Sequence, residues 1–451
     1  MLSKRKENNR HQIEMVALDE LVPEDHLVRK VEQAINFDFI YQLVEDKYSL
    51  DNGRPSIDPV VLIKMVFVQY LFGIRSMRQT IKEIETNLAY RWFLGYGFTE
   101  KIPHFSTFGK NYERRFKDTD LFERIFYRIL KEAMDKKLVD PSVAFIDSTH
   151  VKASANKKKY DKKVVRVEAK SYQKQLELEI NADREAHGKK EFPLQDKEET
   201  KEVKVSKTDP DSGYYVKDER EKLFAYSVHT ASDSKGFILG TKVTGANVHD
   251  SCMLDTLLNE VIEKVGKPTA VAVDAGYKTP FIAKYLMDQE IRPVMPYTRP
   301  RTKDGYFKKH EYVYDEYYDC YICPEQQVLP YRTTTRDGYK QYASDPEICK
   351  NCPFLDKCTQ SKNHQKLIHR HLWEEYIEEC DHLRHTPENK YIYAKRKETI
   401  ERVFADAKEK HGMRWTTLRG LKKLSMQAML TFAAMNLKKM ACWTWKKPCP
   451  A

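Results

Sequence analysis

Two aspartates, Asp147 and Asp274, each close a short apolar run: Ser142-Val143-Ala144-Phe145-Ile146-Asp147 and Thr269-Ala270-Val271-Ala272-Val273-Asp274. Runs of this length read as buried strands. Carboxylates at the carboxyl ends of neighbouring strands lie at the rim of an α/β sheet, where chemistry is commonly placed. Two such groups facing one crevice repel each other unless a divalent cation holds them, which points to Mg²⁺ or Mn²⁺. Taken singly, either residue could equally cap the turn that follows it. A third acid lies in the segment from Tyr393 to Lys408. On a helical wheel Ile400, Val403, Phe404 and Ala407 make one narrow apolar stripe, with Glu401, Lys397 and Lys408 along its flank. Glu398 falls further round, and Asp406 and Glu409 point away. Glu401 is thus the acid best placed to reach a site at the edge of a buried sheet, although a surface helix of alternating charges has the same spacing.

Cysteines form the second cluster. Cys320-x2-Cys323 and Cys349-x2-Cys352-x5-Cys358 supply five thiols within 39 positions. Paired Cys-x2-Cys turns separated by tens of residues are a zinc-ribbon pattern, because each turn sets two sulfurs on one tetrahedral ion. One thiol is surplus, and free thiols or a redox pair are the competing readings. Cys252, Cys380, Cys442 and Cys449 are isolated and carry no assignment. His150, His229 and His249 read as core or turn residues, since hard cations prefer oxygen. Ser148 and Thr149 lack a readable His/Asp relay.

These groups need a frame. Residues from about 12 to 135 read as helical: Pro59 opens a run that stays apolar on most faces through Tyr70, and Ser76 can cap a helix from Met77. Ser106 or Thr107 could cap a further helix carrying Lys110, Arg114, Arg115 and Lys117. Short helices with tight joints and a late basic helix fit a helix-turn-helix DNA reader, or a helical bundle with a solvated basic face. Beyond Pro141 the pattern turns to strands. Leu223–Thr230 and Phe237–Thr244 make a hairpin turning at Asp233-Ser234-Lys235-Gly236, and a helix spans about 251 to 265, capped by Asp250 or Ser251. Ile291–Pro296 is an edge strand because of its prolines. The order implies a mixed α/β sheet followed by a terminal helical segment. The boundaries are 1–138 for a helical domain and 139–451 for a sheet domain. Two insertions interrupt the latter: a Lys/Glu-rich stretch at about 155–220, read as one solvated helix, and a Tyr/Cys-rich stretch at about 297–390.

Apolar residues at 41% and aromatics at 12% exclude a chain-wide disordered protein. The 78 Lys+Arg against 67 Asp+Glu give a net charge of +11, which favours a polyanionic partner. No run is long and apolar enough to span a membrane, and Met1-Leu2-Ser3-Lys4-Arg5-Lys6-Glu7 lacks an apolar signal core, so an intracellular setting without membrane is expected.

The segments Phe145–Ala153, Val243-Thr244-Gly245-Ala246-Asn247-Val248-His249-Asp250, Val271–Tyr277 and Glu401–Lys408 together resemble the DDE transposases of bacterial insertion sequences. Gly53-Arg54-Pro55-Ser56-Ile57-Asp58-Pro59 and Arg91-Trp92-Phe93-Leu94-Gly95 resemble the helical domain that precedes the catalytic domain in one branch. That resemblance implies a ribonuclease H-like catalytic domain in which Asp147, Asp274 and Glu401 bind two Mg²⁺ or Mn²⁺ ions. It implies cleavage of double-stranded DNA at terminal inverted repeats and joining of the freed end to target DNA, by a homodimer on DNA in the bacterial cytoplasm and nucleoid. A metal-dependent nuclease without strand transfer, or a DNA-binding regulator with lapsed catalysis, would carry the same residues. Lys408 and Arg396 would contact phosphate, with Lys397, Arg402, Arg114 and Arg115 further along the DNA. Tyr393, Arg396, Glu401 and Lys408 follow the family pattern with one extra residue between Arg396 and Glu401. The segment Lys395–Lys423 holds ten Lys/Arg against four Asp/Glu, suited to backbone contact. By the same resemblance Cys323, Cys349, Cys352 and Cys358 are the structural zinc ligands, with Cys320 the surplus thiol that could also serve.

Overall fold

The computed structural model of the protein describes residues 12–49, 56–166, 172–193, 200–216, 221–299 and 302–446. Met1–Glu7, Gly53, Arg54, Pro55 and Cys449 lie outside the described residues. Among those described, no helix is long and apolar enough to cross a membrane.

The first 135 residues are helical where described. Pro59–Leu71 is buried on nearly every face, and the Asp58 carboxylate accepts from the Val60 and Val61 N–H groups at its start. Ser76 caps Met77–Thr86 by accepting from Gln79 N–H at 3.2 Å, as its spacing implies. The next cap differs from expectation. Neither Ser106 nor Thr107 serves; the His104 Nδ1 faces both the Ser106 hydroxyl and its N–H. That helix, Ser106–Asn111, loosens at once into a wider turn over Tyr112–Phe116.

A central sheet follows. Its strands are β1 (Val143–Lys152), then, beyond a two-stranded ribbon of β2 (Tyr160–Arg166) and β3 (Thr200–Ser206), β4 (Gly213–Val216), β5 (Lys222–Ser232), β6 (Ile238–Gly245), β7 (Ala270–Ala272) and β8 (Arg292–Val294). Across the sheet the order is β4-β5-β1-β7-β8, with β6 pairing the remaining length of β5. β5 and β6 form the expected hairpin; β1 runs antiparallel to β5 and parallel to β7, which in turn is parallel to β8. The helix after β6 starts later than expected, at Leu254, behind a short turn over Asp250–Cys252, and neither Asp250 nor Ser251 caps it.

A second sheet holds the cysteine-rich stretch: β9 (Val313–Asp315), β10 (Cys320–Ile322), β11 (Val328–Thr334), β12 (Tyr339–Ala343) and β13 (Leu367–His371), in order β13-β12-β11-β10-β9. Helix Gln173–Ala186 was expected to be solvated; instead Leu176, Ile180 and Arg184 are buried. Arg184 donates to Thr333 Oγ1 at 2.9 Å and to the Thr334 carbonyl at 2.8 Å, and the Trp373 indole donates to Glu179. Its apolar residues are few, so composition hides the docking face. Helix Glu374–Leu383 then returns to the main core through Cys380.

The last helix, Leu421–Thr444, unites the molecule. It packs against β6 and against helices Leu27–Ala34, Pro59–Leu71 and Leu121–Asp135, so one continuous hydrophobic cluster runs from Val22 to Ala441. The Asn436 amide clamps the start of β6, donating to the Ile238 carbonyl and accepting its N–H, both at 2.8 Å. A second weld lies at Gly73, whose φ is +64° and where a Cβ would stand 2.4 Å from the Lys410 carbonyl oxygen. Nearby, the buried His411 ring nitrogen Nδ1 donates to the Tyr70 carbonyl at 2.7 Å. Gly73→Ala should therefore cost about 2–4 kcal/mol through backbone strain and overpacking. Chemical denaturation checks this, and an unchanged midpoint would contradict the contact.

Candidate active site

Strand register brings the two aspartates together. Phe145 on β1 pairs with Ala272 on β7. Two residues further on, side-chain alternation sets Asp147 and Asp274 level and on one face of neighbouring parallel strands. Asp274 keeps an extended backbone and its carboxylate accepts from Gly276 N–H at 2.9 Å, so it also caps the turn Ala275–Tyr277. The capping and site readings are compatible. Asp147 accepts from its neighbour's Ser148 N–H at 2.7 Å and from the Arg396 guanidinium at 2.8 Å. Arg396 is buried, and its Nε–H has no partner.

Burial pushes the Asp147 carboxyl up to about 6; Arg396 opposes this, Asp274 adds to it, the Ser148 N–H opposes, and Asp250 adds again. Asp250 is thus a third acid in the same field. It had been read only as a helix cap, but the turn it occupies packs beside the Ala275–Tyr277 turn. Its Oδ1 lies 3.6 Å from Nδ1 of His229, a fully buried residue on β5 opposite Ser148. Burial lowers His229 to about 4, with Asp250 pulling the other way, so the ring is neutral. Its Nε2 lies 2.9 Å from the Thr244 hydroxyl. Tyr277 is the other residue missed. Burial, then the carboxylates of Asp250, Asp147 and Asp274, hold its hydroxyl well above the usual range, with Ser148 opposing. Both belong to runs quoted above, where a carboxylate or an aromatic just past a strand was the available signal.

Glu401 stands in the first turn of helix Ile400–Lys410, on its exposed side. The expected stripe of Ile400, Val403, Phe404 and Ala407 is buried, and the helix packs on β1. Among the described residues, no three His, Cys, Asp or Glu side chains already stand in a metal-holding arrangement. The structure therefore joins Asp147 to Asp274 and sets the Glu401 helix alongside, without closing the three acids around one point. Lys397, Arg402 and Arg114 are exposed, and Lys408 is half-buried. Arg115 has work inside the fold, bonded to Asn111 and lying 4.5 Å over the Tyr48 ring.

Cys323, Cys349, Cys352 and Cys358 all line one small cavity beside Tyr312, whereas Cys320 is buried within β10 and does not. Gln327 N–H donates to the Cys323 sulfur at 3.3 Å across a turn with Gln326 at φ +56°, and Cys349 donates to the Ser344 hydroxyl at 3.2 Å. Burial raises the Cys358 thiol, and Cys349 and Cys323 add to that.

Two family models match the chain: Transposase domain (DUF772) over residues 16–114 and Transposase DDE domain over residues 322–441. The chain belongs to the DDE transposases. The second match includes Arg396, Glu401, Lys408 and the four cavity cysteines, while Asp147 and Asp274 lie outside both matched stretches. No curated protein and no solved structure matches this transposase.

The folded state holds the Asp147 proton more tightly than an unfolded chain, where the ordinary value is 3.8. This group therefore favours folding below about pH 4, and that contribution is lost as pH rises through about 6. Asp274→Asn removes a like charge and should move the Asp147 titration down, while Arg396→Gln should move it up. Carboxyl ¹³C NMR of labelled aspartate, assigned with Asp147→Asn, checks both; shifts in the same direction would contradict the assignment of causes.

Proposed function

We propose that this transposase binds the ends of an insertion sequence and performs metal-dependent DNA strand cleavage and strand transfer at Asp147, Asp274 and Glu401. The reading is supported above all by the register that sets two carboxylates level at the sheet edge, one of them raised by burial and by its acidic neighbours. A crowded, oxygen-only donor set of this kind suits a hard divalent cation. Asp147 and Asp274 would hold Mg²⁺ or Mn²⁺, with Glu401 as third ligand from the helix packed on β1. When bound, such ions activate an attacking oxygen and stabilise the departing 3′-oxygen. The sheet order, three antiparallel strands followed by two parallel ones, supports a ribonuclease H-like core.

In the first reaction a water oxygen bonds to phosphorus and the bond to the 3′-oxygen breaks, leaving a 3′-hydroxyl. In the second, that hydroxyl bonds to a target phosphate and the target's own 3′-oxygen leaves. Arg396 neutralises Asp147 and, with Lys408, would bind phosphate oxygens through charge-assisted hydrogen bonds. Lys397, Arg402 and Arg114 extend the basic surface. Coordinating two DNA ends calls for a homodimer on DNA.

The four thiols around one cavity fit a structural zinc ion, held by Cys323, Cys349, Cys352 and Cys358, that crosslinks β10 to the turns after β12. Elemental analysis should find one zinc per chain, and Cys349→Ser should lose it with a lower unfolding temperature. A zinc-free, equally stable wild-type protein would remove this ion from the account.

Asp147→Asn, Asp274→Asn and Glu401→Gln should each reduce cleavage and joining of a DNA end by about 10³-fold or more, a loss of roughly 4 kcal/mol in the transition state. DNA binding in EDTA should persist in all three. A variant that cuts at the wild-type rate removes its residue from the site. Joining of a precut end separates a transposase from a nuclease that only cuts.

A further inference from the structure

A groove of about 500 Å³ follows the seam between the helical region and helix Ile400–Lys410. Its walls include Arg75, Phe108, Lys408, Arg414 and Trp415. Arg75 is exposed on the turn before helix Met77–Thr86, and Arg414 pairs with Glu409. Three cations against one acid give the groove the sign that suits a phosphate backbone.

Trp415 is the unusual residue. Its side chain remains 43% exposed. Its backbone, however, is clamped on both sides. Lys152 N–H donates to the Arg414 carbonyl at 3.2 Å, and Thr416 N–H donates to the Lys152 carbonyl at 3.0 Å, which extends β1 by one parallel bridge. The buried Thr416 hydroxyl donates to Gln427 at 2.6 Å. The indole is therefore presented to solvent by a fixed frame rather than left out by a frayed one. Lys152 ends the same strand that carries Asp147. At about 3.3 Å per residue the groove begins roughly 17 Å from that carboxylate.

We propose that this groove binds an unpaired DNA strand next to the cut, with one base stacked on Trp415. The inference rests on the DNA-cutting reading given above. A fixed indole reaches the face of a base only when that base has left the duplex, and aromatic platforms flanked by cations are how single strands are held without sequence preference.

The test uses the full chain in EDTA, where no cleavage occurs. A short fluorescein-labelled oligothymidylate and a matching duplex are titrated by anisotropy against wild type, Trp415→Ala and Trp415→Phe. Trp415→Ala should weaken single-strand binding by about 5- to 100-fold, the range for loss of one stacked base, and leave duplex binding nearly unchanged. Trp415→Phe should restore most of the affinity, which a merely misfolded alanine variant cannot explain. Equal single-strand affinity in wild type and Trp415→Ala would overturn the proposal, as would equal losses for single strand and duplex. Because no metal is involved, a failure here is distinct from a failure of strand cleavage.

Discussion

Like charges crowded at the edge of a buried sheet are the constraint on which this molecule is organised. The pairing of Phe145 with Ala272 leaves no freedom: once β1 and β7 align, Asp147 and Asp274 must lie side by side. Apolar neighbours on both strands are fully buried, so water cannot screen the pair well. Asp250 adds a third negative charge to the field. One buried cation, Arg396, answers it, and that cation is delivered by the turn leading into the Glu401 helix. A folded protein keeps such an uncompensated cluster only with difficulty, because breaking or crowding buried charges costs several kcal/mol. A site in this state gains from binding further positive charge.

The surrounding architecture serves to hold the Arg396–Glu401 segment against β1. Helix Ile400–Lys410 is gripped from below by its apolar stripe and from its far end by Gly73 and the Tyr70 carbonyl. Those last contacts come from the helical region, which shares its core with the sheet through helix Leu421–Thr444. Whatever the helical region binds is thus mechanically close to the acid on that helix. The cysteine-rich sheet is tied back separately, through Arg184 and Trp373.

Much of this was legible in the residues. Strands that end in Asp, the hairpin at Asp233–Gly236 and the stripe around Glu401 are all written in hydrophobic periodicity, which tertiary packing then obeyed. Other features were not. Asp250 follows a Gly-Ala-Asn-Val-His turn, where a carboxylate reads equally well as a cap, and only the packing of two short turns reveals the site. The Arg396–Asp147 bond joins residues 249 positions apart, and no local pattern encodes its partner. Helix Gln173–Ala186 hid its buried face because three residues, one of them an arginine, make it. The His104 cap replaced Ser106 because the ring nitrogen reached the same N–H group first.

The account turns on whether Asp147 and Asp274 are metal ligands. Anomalous diffraction from crystals of the full chain bound to a DNA end with Mn²⁺ measures this directly. The account predicts manganese peaks contacting both carboxylates, with Glu401 drawn in as a ligand. Manganese bound elsewhere, or absent while Arg396 still occupies Asp147 on bound DNA, would contradict it.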